Sequence, residues 1–189
     1  MVASAIIVST LRIPVLAGVV IAAGLVFLMV SRDEPPPKEE PRPLLWSVAA
    51  EDLEMIAISL PLQERSEVWF VGNDKRWHFD EPGGAGVNPE RWGDGIALLL
   101  DNPAAERLIA GDATSEQLGI FGLAAPQMEI TLGARNADPL RAEVGDATPD
   151  GQAYYVRVGG GTEVYSIHHS WFDVLKRLVL EPPHRETPS

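Results

Sequence analysis

Residues 153–167 read AYYVRVGGGTEVYSI, the pattern of a β-hairpin. The flanks at 153–158 and 163–167 are rich in Tyr and Val, which are enriched in strands. The glycine run between them suits a tight turn, because glycine adopts positive φ angles with little strain. A helix is predicted next, over residues 170–180, from apolar residues at helical spacing. These residues are Trp171, Val174, Leu175, Leu178 and Val179.

The same order of hairpin and helix occurs earlier in the chain. Segments 67–71 and 76–79 have strand character and flank a Gly-Asn-Asp-Lys turn. The Asn-Pro-Glu sequence at 88–90 supplies a helix cap, a proline at the first helical position and an acid in the first turn. We therefore expect a helix over residues 89–100. The recurrence raises the hypothesis that the hairpin-helix unit is duplicated.

Further segments complete the predicted domain. Alternating patterns predict strands at 54–60, 106–110, 128–132 and 140–144, and a short helix at 114–119 capped by Thr114 or Ser115. Consecutive hairpins favour an antiparallel sheet, and amphipathic helices bury their apolar side against it. The predicted fold class is α+β, with an antiparallel sheet, helices on one face and a single transmembrane helix in front.

That transmembrane helix is predicted from residues 13–30, IPVLAGVVIAAGLVFLMV, which contain no charge in 18 positions. As a helix the run is roughly 27 Å long, close to the hydrocarbon thickness of a bilayer. A cleaved signal peptide would have a shorter core and a small-x-small site, and a buried core helix fits poorly with the charged sequence that follows. The expected lipid-contacting anchor residues are Ile13, Leu16, Val20, Leu25, Phe27 and Val30. Gly18 and Ala22 are candidates for close contact with another helix.

The charges around this run do not decide its orientation. Arg12 precedes it and Arg32 follows it, so the positive-inside rule is nearly balanced. We expect a cytoplasmic N-terminus and an extracytoplasmic, periplasmic C-terminal domain. Residues 31–43 contain five prolines and are predicted to be an extended spacer. The predicted organisation is an N-terminal tail (1–12), the anchor (13–30), the linker (31–43), the α+β domain (44–181) and a disordered tail (182–189).

Net charge and cysteine content exclude several classes of function. The chain of 189 residues carries a formal charge of −12 and no cysteine. An acidic exterior repels phosphate backbones, so we expect no nucleic acid partner and instead basic or neutral protein surfaces. Without cysteine there are no disulfides, no thiolate metal sites and no cysteine nucleophile.

Candidate catalytic and binding motifs are weak. The loop Gly83-Gly84-Ala85-Gly86 lacks the spacing of a phosphate-binding loop and follows two acids, so no nucleotide is expected. His78 lies between two aromatic residues in a predicted strand, and the adjacent His168 and His169 should point apart, so no metal site is expected. Among 27 acids a chance carboxylate pair is assured, and the serines have no nucleophile elbow around them. We predict no catalytic residues and no cofactor.

The five tryptophans are many for one domain, and most of them should be core. A tryptophan left exposed would mark a protein interface, because such rings dominate interface energies. The candidates for such a surface are Trp46, Trp69 and Trp92.

Several short motifs resemble those of the domain of unknown function 4340 family. Residues 118–126, LGIFGLAAP, precede the strand at 128–132 as in that family's Gly-Leu-x-x-Pro signature, and residues 77–82, WHFDEP, are similar to its Trp-x-x-x-x-Pro element. Its continuation looks like Val144-Gly145-Asp146, Tyr154-Tyr155-Val156-Arg157 and Glu163-Val164-Tyr165. The resemblance covers most of residues 44–180. It implies a membrane-anchored protein found beside ABC-type export or gliding-associated systems, hence a protein partner, and it carries no catalytic residues.

Three hypotheses of function follow. The first is a non-catalytic single-pass membrane protein whose extracytoplasmic domain binds protein partners in an envelope or ABC-type transport-associated assembly. The second is an accessory subunit that contacts a large integral-membrane complex through the transmembrane helix, at Gly18 and Ala22. The third is a hydrolase, which needs a cleft where histidine and carboxylate groups converge.

Overall fold

The computed structural model describes residues 42–92 and 95–184. The predicted tail 1–12, the predicted anchor 13–30, nearly all of the linker 31–43 and residues 185–189 lie outside the described residues. This applies to every anchor and helix-contact position, namely Ile13, Leu16, Gly18, Val20, Ala22, Leu25, Phe27 and Val30. Within the described ranges, no helix is both long enough and apolar enough to cross a membrane.

The described chain is built around one antiparallel sheet of eight strands, in the order β3-β2-β1-β5-β6-β7-β8-β4. The strands are β1 (Leu53–Leu60), β2 (Arg65–Val71), β3 (Trp77–Phe79), β4 (Arg107–Ala110), β5 (Met128–Ala134), β6 (Leu140–Ala147), β7 (Ala153–Val158) and β8 (Val164–His168). The hairpins predicted at 67–79 and 153–167 are confirmed, with Trp69 opposite Phe79 and Val156 opposite Tyr165. The strands predicted at 128–132 and 140–144 are confirmed as parts of β5 and β6, which pair with each other.

Strand β1 joins the two halves of the sheet. Ile56 lies opposite Trp69 of β2 and Leu132 of β5, and Ile58 lies opposite Ile130. These apolar residues share one face, because side chains alternate along a strand. They are almost fully buried and form the centre of the main core.

The helices are few and short. They are α1 (Pro89–Trp92), α2 (Gly95–Leu100), α3 (Ser115–Ile120) and α4 (His169–Leu180). Helices α1 and α2 both lie within the helix predicted over 89–100, and residues 93 and 94 between them are outside the described residues. Helix α3 is capped as predicted, since the Thr114 hydroxyl accepts from the Gln117 amide and the Gln117 side chain accepts from the Thr114 amide. Helix α4 has 12 residues.

The predicted α+β class with helices on one face is wrong. The described domain is dominated by the eight-stranded sheet, and its few helices lie on both faces. Phe172 of α4 stacks on Tyr154 on the main-core side. Leu118 of α3 packs with Val164 and Tyr155 in a second cluster on the opposite side. Adjacent strand residues point to opposite faces, so Tyr154 and Tyr155 assign the two helices to different sides.

The hypothesis of a duplicated hairpin-helix unit is also contradicted. The pair β2–β3 ends one edge of the sheet, whereas β7–β8 is enclosed between β6 and β4. The two hairpins resemble each other because any antiparallel pair needs alternating residues and a glycine-rich turn.

Candidate functional site

A groove opens at one end of the sheet, where β1 begins and β2 and β5 end. We call it the sheet-end groove; its volume is about 850 Å³. It is lined by Ala50, Glu51, Leu53, Glu54, Met55, Phe70, Val71, Gly72, Asn73, Lys75, Trp77, Pro82, Gly133, Ala134 and Arg135. Its size makes it the main candidate for a binding site in the part of the chain that the structure describes.

The floor of the sheet-end groove is set by strand register. Met55 lies opposite Phe70 of β2 and Gly133 of β5, so the three residues form a row across neighbouring strands. Because Ile56 faces the main core, this row faces the other way. A Cβ atom on Gly133 would lie 3.1 Å from the Cβ of Met55, so the glycine leaves room in the floor. The result is a half-buried apolar strip.

The rim of the groove carries both positive and negative charges. Arg135 donates to a carboxylate oxygen of Glu54 at 3.1 Å, and both side chains are more than half exposed. An exposed pair of this kind contributes little to stability, so these groups remain available to a partner. Lys75 and Glu51 add one further charge of each sign. The groove is therefore suited to hold an apolar segment whose flanking residues are neutral or carry charges of both signs.

His78 fastens the turn beside this groove. Its Nε2 lies 2.9 Å from Asp74 Oδ1, and its Nδ1 lies 2.9 Å from the Gly84 carbonyl oxygen. The hydrogen bond from His78 lowers the pKa of Asp74, helped by the Arg76 amide. A Cβ on Gly72 would meet the His78 ring at 2.7 Å, so the turn and the ring fit only with glycine there. These contacts connect the β2–β3 turn to the loop that contains Gly84.

The glycine loop at 83–86 packs against β3. The Phe79 amide donates to the Ala85 carbonyl oxygen at 2.8 Å, and a Cβ on Gly84 would lie 2.0 Å from the Phe79 carbonyl oxygen. Gly86 forms a bridge with His78 and extends the sheet edge by one short segment. Glycine at position 84 thus allows close approach of the two backbones.

His168 and His169 do not point apart as expected. Their ring centroids are 4.4 Å apart, because the first residue ends β8 and the second begins α4, where the chain turns. His168 Nδ1 accepts from the Ser170 amide and caps the helix, and His169 Nδ1 lies 3.1 Å from Asp173 Oδ2. Within the described residues, no three His, Asp or Glu side chains are placed to hold a metal ion.

The tryptophans proposed as a partner surface are buried. Trp46, Trp69 and Trp92 are 5%, 0% and 7% exposed. Trp69 and Trp92 are in ring contact at 5.1 Å, and Trp46 contacts Trp171 at 6.1 Å. Their large apolar area packs within the core and holds the helices on the sheet.

Two of these tryptophans differ in hydrogen bonding, which leads to a stability prediction. Trp46 Nε1 donates to the Leu100 carbonyl oxygen at 2.8 Å, whereas Trp69 Nε1 has no hydrogen-bond partner among the described residues. We expect Trp46→Phe to lower the free energy of unfolding by about 1 kcal/mol more than Trp69→Phe, because only the first loses a bond. Thermal unfolding of both variants measures the difference. A larger loss for Trp69→Phe would contradict it.

The apolar row at the groove was not singled out by the sequence reasoning, although a signal for it exists. In residues 54–60 the alternation that buries Ile56 and Ile58 also gathers Met55, Ala57 and Ser59 on the second face. The sequence does not tell whether this second face is covered, because that depends on elements far away in the chain. Met55, Ala57 and Ser59 remain only partly buried.

Two of the motifs that resemble a known family, residues 118–126 and 144–146, meet where the loop after α3 crosses β6. The Asp146 amide donates to the Phe121 carbonyl oxygen at 2.8 Å, and Gln127 Nε2 donates to Asp146 Oδ1 at 2.8 Å. Gly122 has a φ of 72°, and a Cβ on Gly145 would lie 2.1 Å from the Phe121 oxygen. Both glycines are thus required where the loop after α3 crosses β6.

Residues 77–180 match the family model described as Domain of unknown function (DUF4340). The chain belongs to this family. The matched region includes β3 to β8 and the four described α-helices, whereas β1 and β2 precede it. The resemblance seen in the sequence is therefore confirmed. No curated protein and no solved structure matches the chain.

In this DUF4340 protein, the sheet-end groove is lined by residues of the region that the family model matches and by residues that precede that region. Trp77, Pro82 and the end of β5 come from the matched region, and Met55, Phe70 and Lys75 precede it. The floor of the groove depends on β1 pairing with β5, so the residues before the family match complete the site.

Proposed function

We propose that this protein is a non-catalytic, membrane-tethered module whose folded domain binds a protein partner through the sheet-end groove. The observation that carries the proposal is the row of Phe70, Met55 and Gly133, which faces away from the main core into a groove of about 850 Å³. Half-exposed apolar rows bordered by charges are typical of surfaces that recognise proteins.

The membrane part of the proposal rests on the sequence. The uncharged run at 13–30 has the length needed to insert into a bilayer, and the proline-rich segment 31–43 separates it from the domain. We place the domain outside the cytoplasm, in an envelope or ABC-type transport-associated assembly. Tethering keeps the groove near partners in the same membrane and raises their effective concentration.

A pull-down of the full-length chain in mild detergent tests the proposal. We expect a partner to co-purify with the unaltered protein, and its recovery to fall by about tenfold for Phe70→Ala and for Lys75→Glu. The matched controls are Leu62→Ala, an exposed apolar residue outside the groove, and Arg76→Glu, the same charge change one position away. Equal recovery with all four variants would overturn the groove assignment.

Removal of residues 1–30 distinguishes this proposal from contact through the membrane segment. If the domain alone still captures the partner, the groove accounts for binding. If capture is lost while the domain keeps its unfolding temperature, the contact lies in the deleted segment, with Gly18 and Ala22 as the first positions to substitute.

A further inference from the structure

His78 lies at the end of the apolar row that forms the floor of the sheet-end groove. It is opposite Phe70 of β2, which is opposite Met55 of β1, so the three side chains share one face of the sheet. Only 16% of the His78 side chain is exposed. A titratable group with few conformations open to it therefore lies beside the groove.

Both ring nitrogens of His78 face oxygen atoms that accept hydrogen bonds. Nε2 lies 2.9 Å from Asp74 Oδ1 in the β2–β3 turn, and Nδ1 lies 2.9 Å from the carbonyl oxygen of Gly84. A neutral imidazole has one N–H group and one lone pair, so it can donate to only one of these two oxygens. The imidazolium cation has two N–H groups and donates to both. We call His78 with these two acceptors the His78 clamp.

The charges around the ring favour the cation. Asp74 forms an ion pair with His78, and the hydrogen bonds from His78 and from the Arg76 amide lower the pKa of Asp74, so its carboxylate stays ionised at neutral pH. On β2 the residue opposite His78 is the uncharged Phe70. The other charged residues of the turn and of the loop after β3 are Lys75, Arg76, Asp80 and Glu81. Their two positive and two negative charges largely cancel, so the attraction from Asp74 dominates.

We propose that His78 is held as the imidazolium cation in the folded protein and connects the two sides of the groove rim until rising pH removes one proton to solvent. The remaining proton stays on Nε2, because a carboxylate is a stronger acceptor than a neutral carbonyl oxygen. The bond from Nδ1 to Gly84 is then lost, and the loop 83–86 separates from the β2–β3 turn. The turn and the residue before this loop line the groove with Gly72, Asn73, Lys75 and Pro82. Deprotonation therefore loosens the rim.

NMR titration of the His78 ring in the full-length chain tests the protonation state. The chain has four histidines, and the signals of His78 are those that disappear in His78→Gln. We expect the titration midpoint of His78 to lie about one pH unit above that of a solvent-exposed histidine. Long-range proton–nitrogen spectra of the ring should show both nitrogens protonated at neutral pH.

Asp74→Asn keeps the size of the side chain and removes its charge. We expect the His78 midpoint to fall by about one pH unit in this variant. Asp80→Asn is the matched control, because it removes an equal charge two positions from His78 and leaves both acceptors in place. Asparagine also tolerates the φ of 65° at this position. This control should leave the midpoint nearly unchanged.

The His78 clamp also makes stability depend on pH. Because folding raises the His78 midpoint, its stabilisation is fully present below the unfolded midpoint and is lost as the pH rises through the folded one. The unfolding temperature of the unaltered protein should therefore exceed that of Asp74→Asn most near about pH 5.5, and by less near about pH 9.

Solvent exchange of backbone amides reports on the loop itself. The Gly84 amide donates to the Glu81 carbonyl oxygen at 2.9 Å, and its protection factor should fall by about fivefold as His78 loses its proton. The Gln127 amide, which donates to the Val144 carbonyl oxygen on another part of the sheet, is the control and should keep its protection factor.

Two results would overturn the proposal. The first is a His78 midpoint at or below that of a solvent-exposed histidine. The second is an equal midpoint in the unaltered protein and in Asp74→Asn. The titration needs no partner protein, so its outcome is independent of whether the sheet-end groove binds one.

Discussion

Replacing Gly145 by alanine is expected to lower the free energy of unfolding by about 3 kcal/mol, at the upper end of overpacking effects. The added Cβ would lie 2.1 Å from the Phe121 carbonyl oxygen and 3.0 Å from the Gly122 carbonyl carbon. Both are backbone atoms held by the Asp146–Phe121 hydrogen bond, so neither can move aside as a flexible side chain would. The loop after α3 must then separate from β6, and the second core cluster loses its cover.

Thermal unfolding of the full-length protein measures this effect. For a domain of this size we expect a fall in Tm of roughly 6–12 °C. Gly111→Ala is the matched control, because its Cβ would meet nothing within 4 Å. It should leave the stability unchanged or raise it by less than about 1 kcal/mol. An equal loss in both variants would show that the crossing is not tight.

Leu175→Ala is expected to destabilise the domain by about 3 kcal/mol, through lost burial and the cavity that remains. Leu175 is 0% exposed in the main core, on the side of α4 that faces the sheet. The helix packs against β1, β2, β7 and β8, so a cavity here loosens both halves of the sheet at once. We therefore expect a single cooperative transition at lower urea concentration.

Leu180→Ala provides the comparison within the same helix. Leu180 is 43% exposed near the end of α4, and its truncation should cost less than about 1 kcal/mol. Urea unfolding followed by tryptophan fluorescence reports on both variants, because Trp171 lies on this helix. If the two losses were equal, the stability of the domain would not depend on the helix-to-sheet contact.

Stability and the proposed binding depend on different parts of the molecule. The glycine crossing and the α4 contact stabilise the fold, and both lie within the region that the family model matches. The sheet-end groove needs strands from before that region. We propose that this groove binds the protein partner.

Local features of the fold were predictable. The strands near 54–60, 67–71, 128–132 and 153–158, the two hairpins and the Thr114 cap follow from alternation, turn residues and capping chemistry. Each of these signals acts over a few residues, so the sequence alone carries it. Membrane insertion of residues 13–30 stays a prediction from the same kind of local pattern.

The arrangement of these pieces was decided by tertiary structure. β1 pairs with β2, its neighbour in sequence, and also with β5, whose paired residues are 70 to 81 positions further along the chain. An alternating strand fits many partners equally well, and the choice among them depends on the burial of the whole sheet. The same long-range packing buries Trp46, Trp69 and Trp92, places α3 and α4 on opposite faces, and leaves Met55 and Phe70 in an open groove.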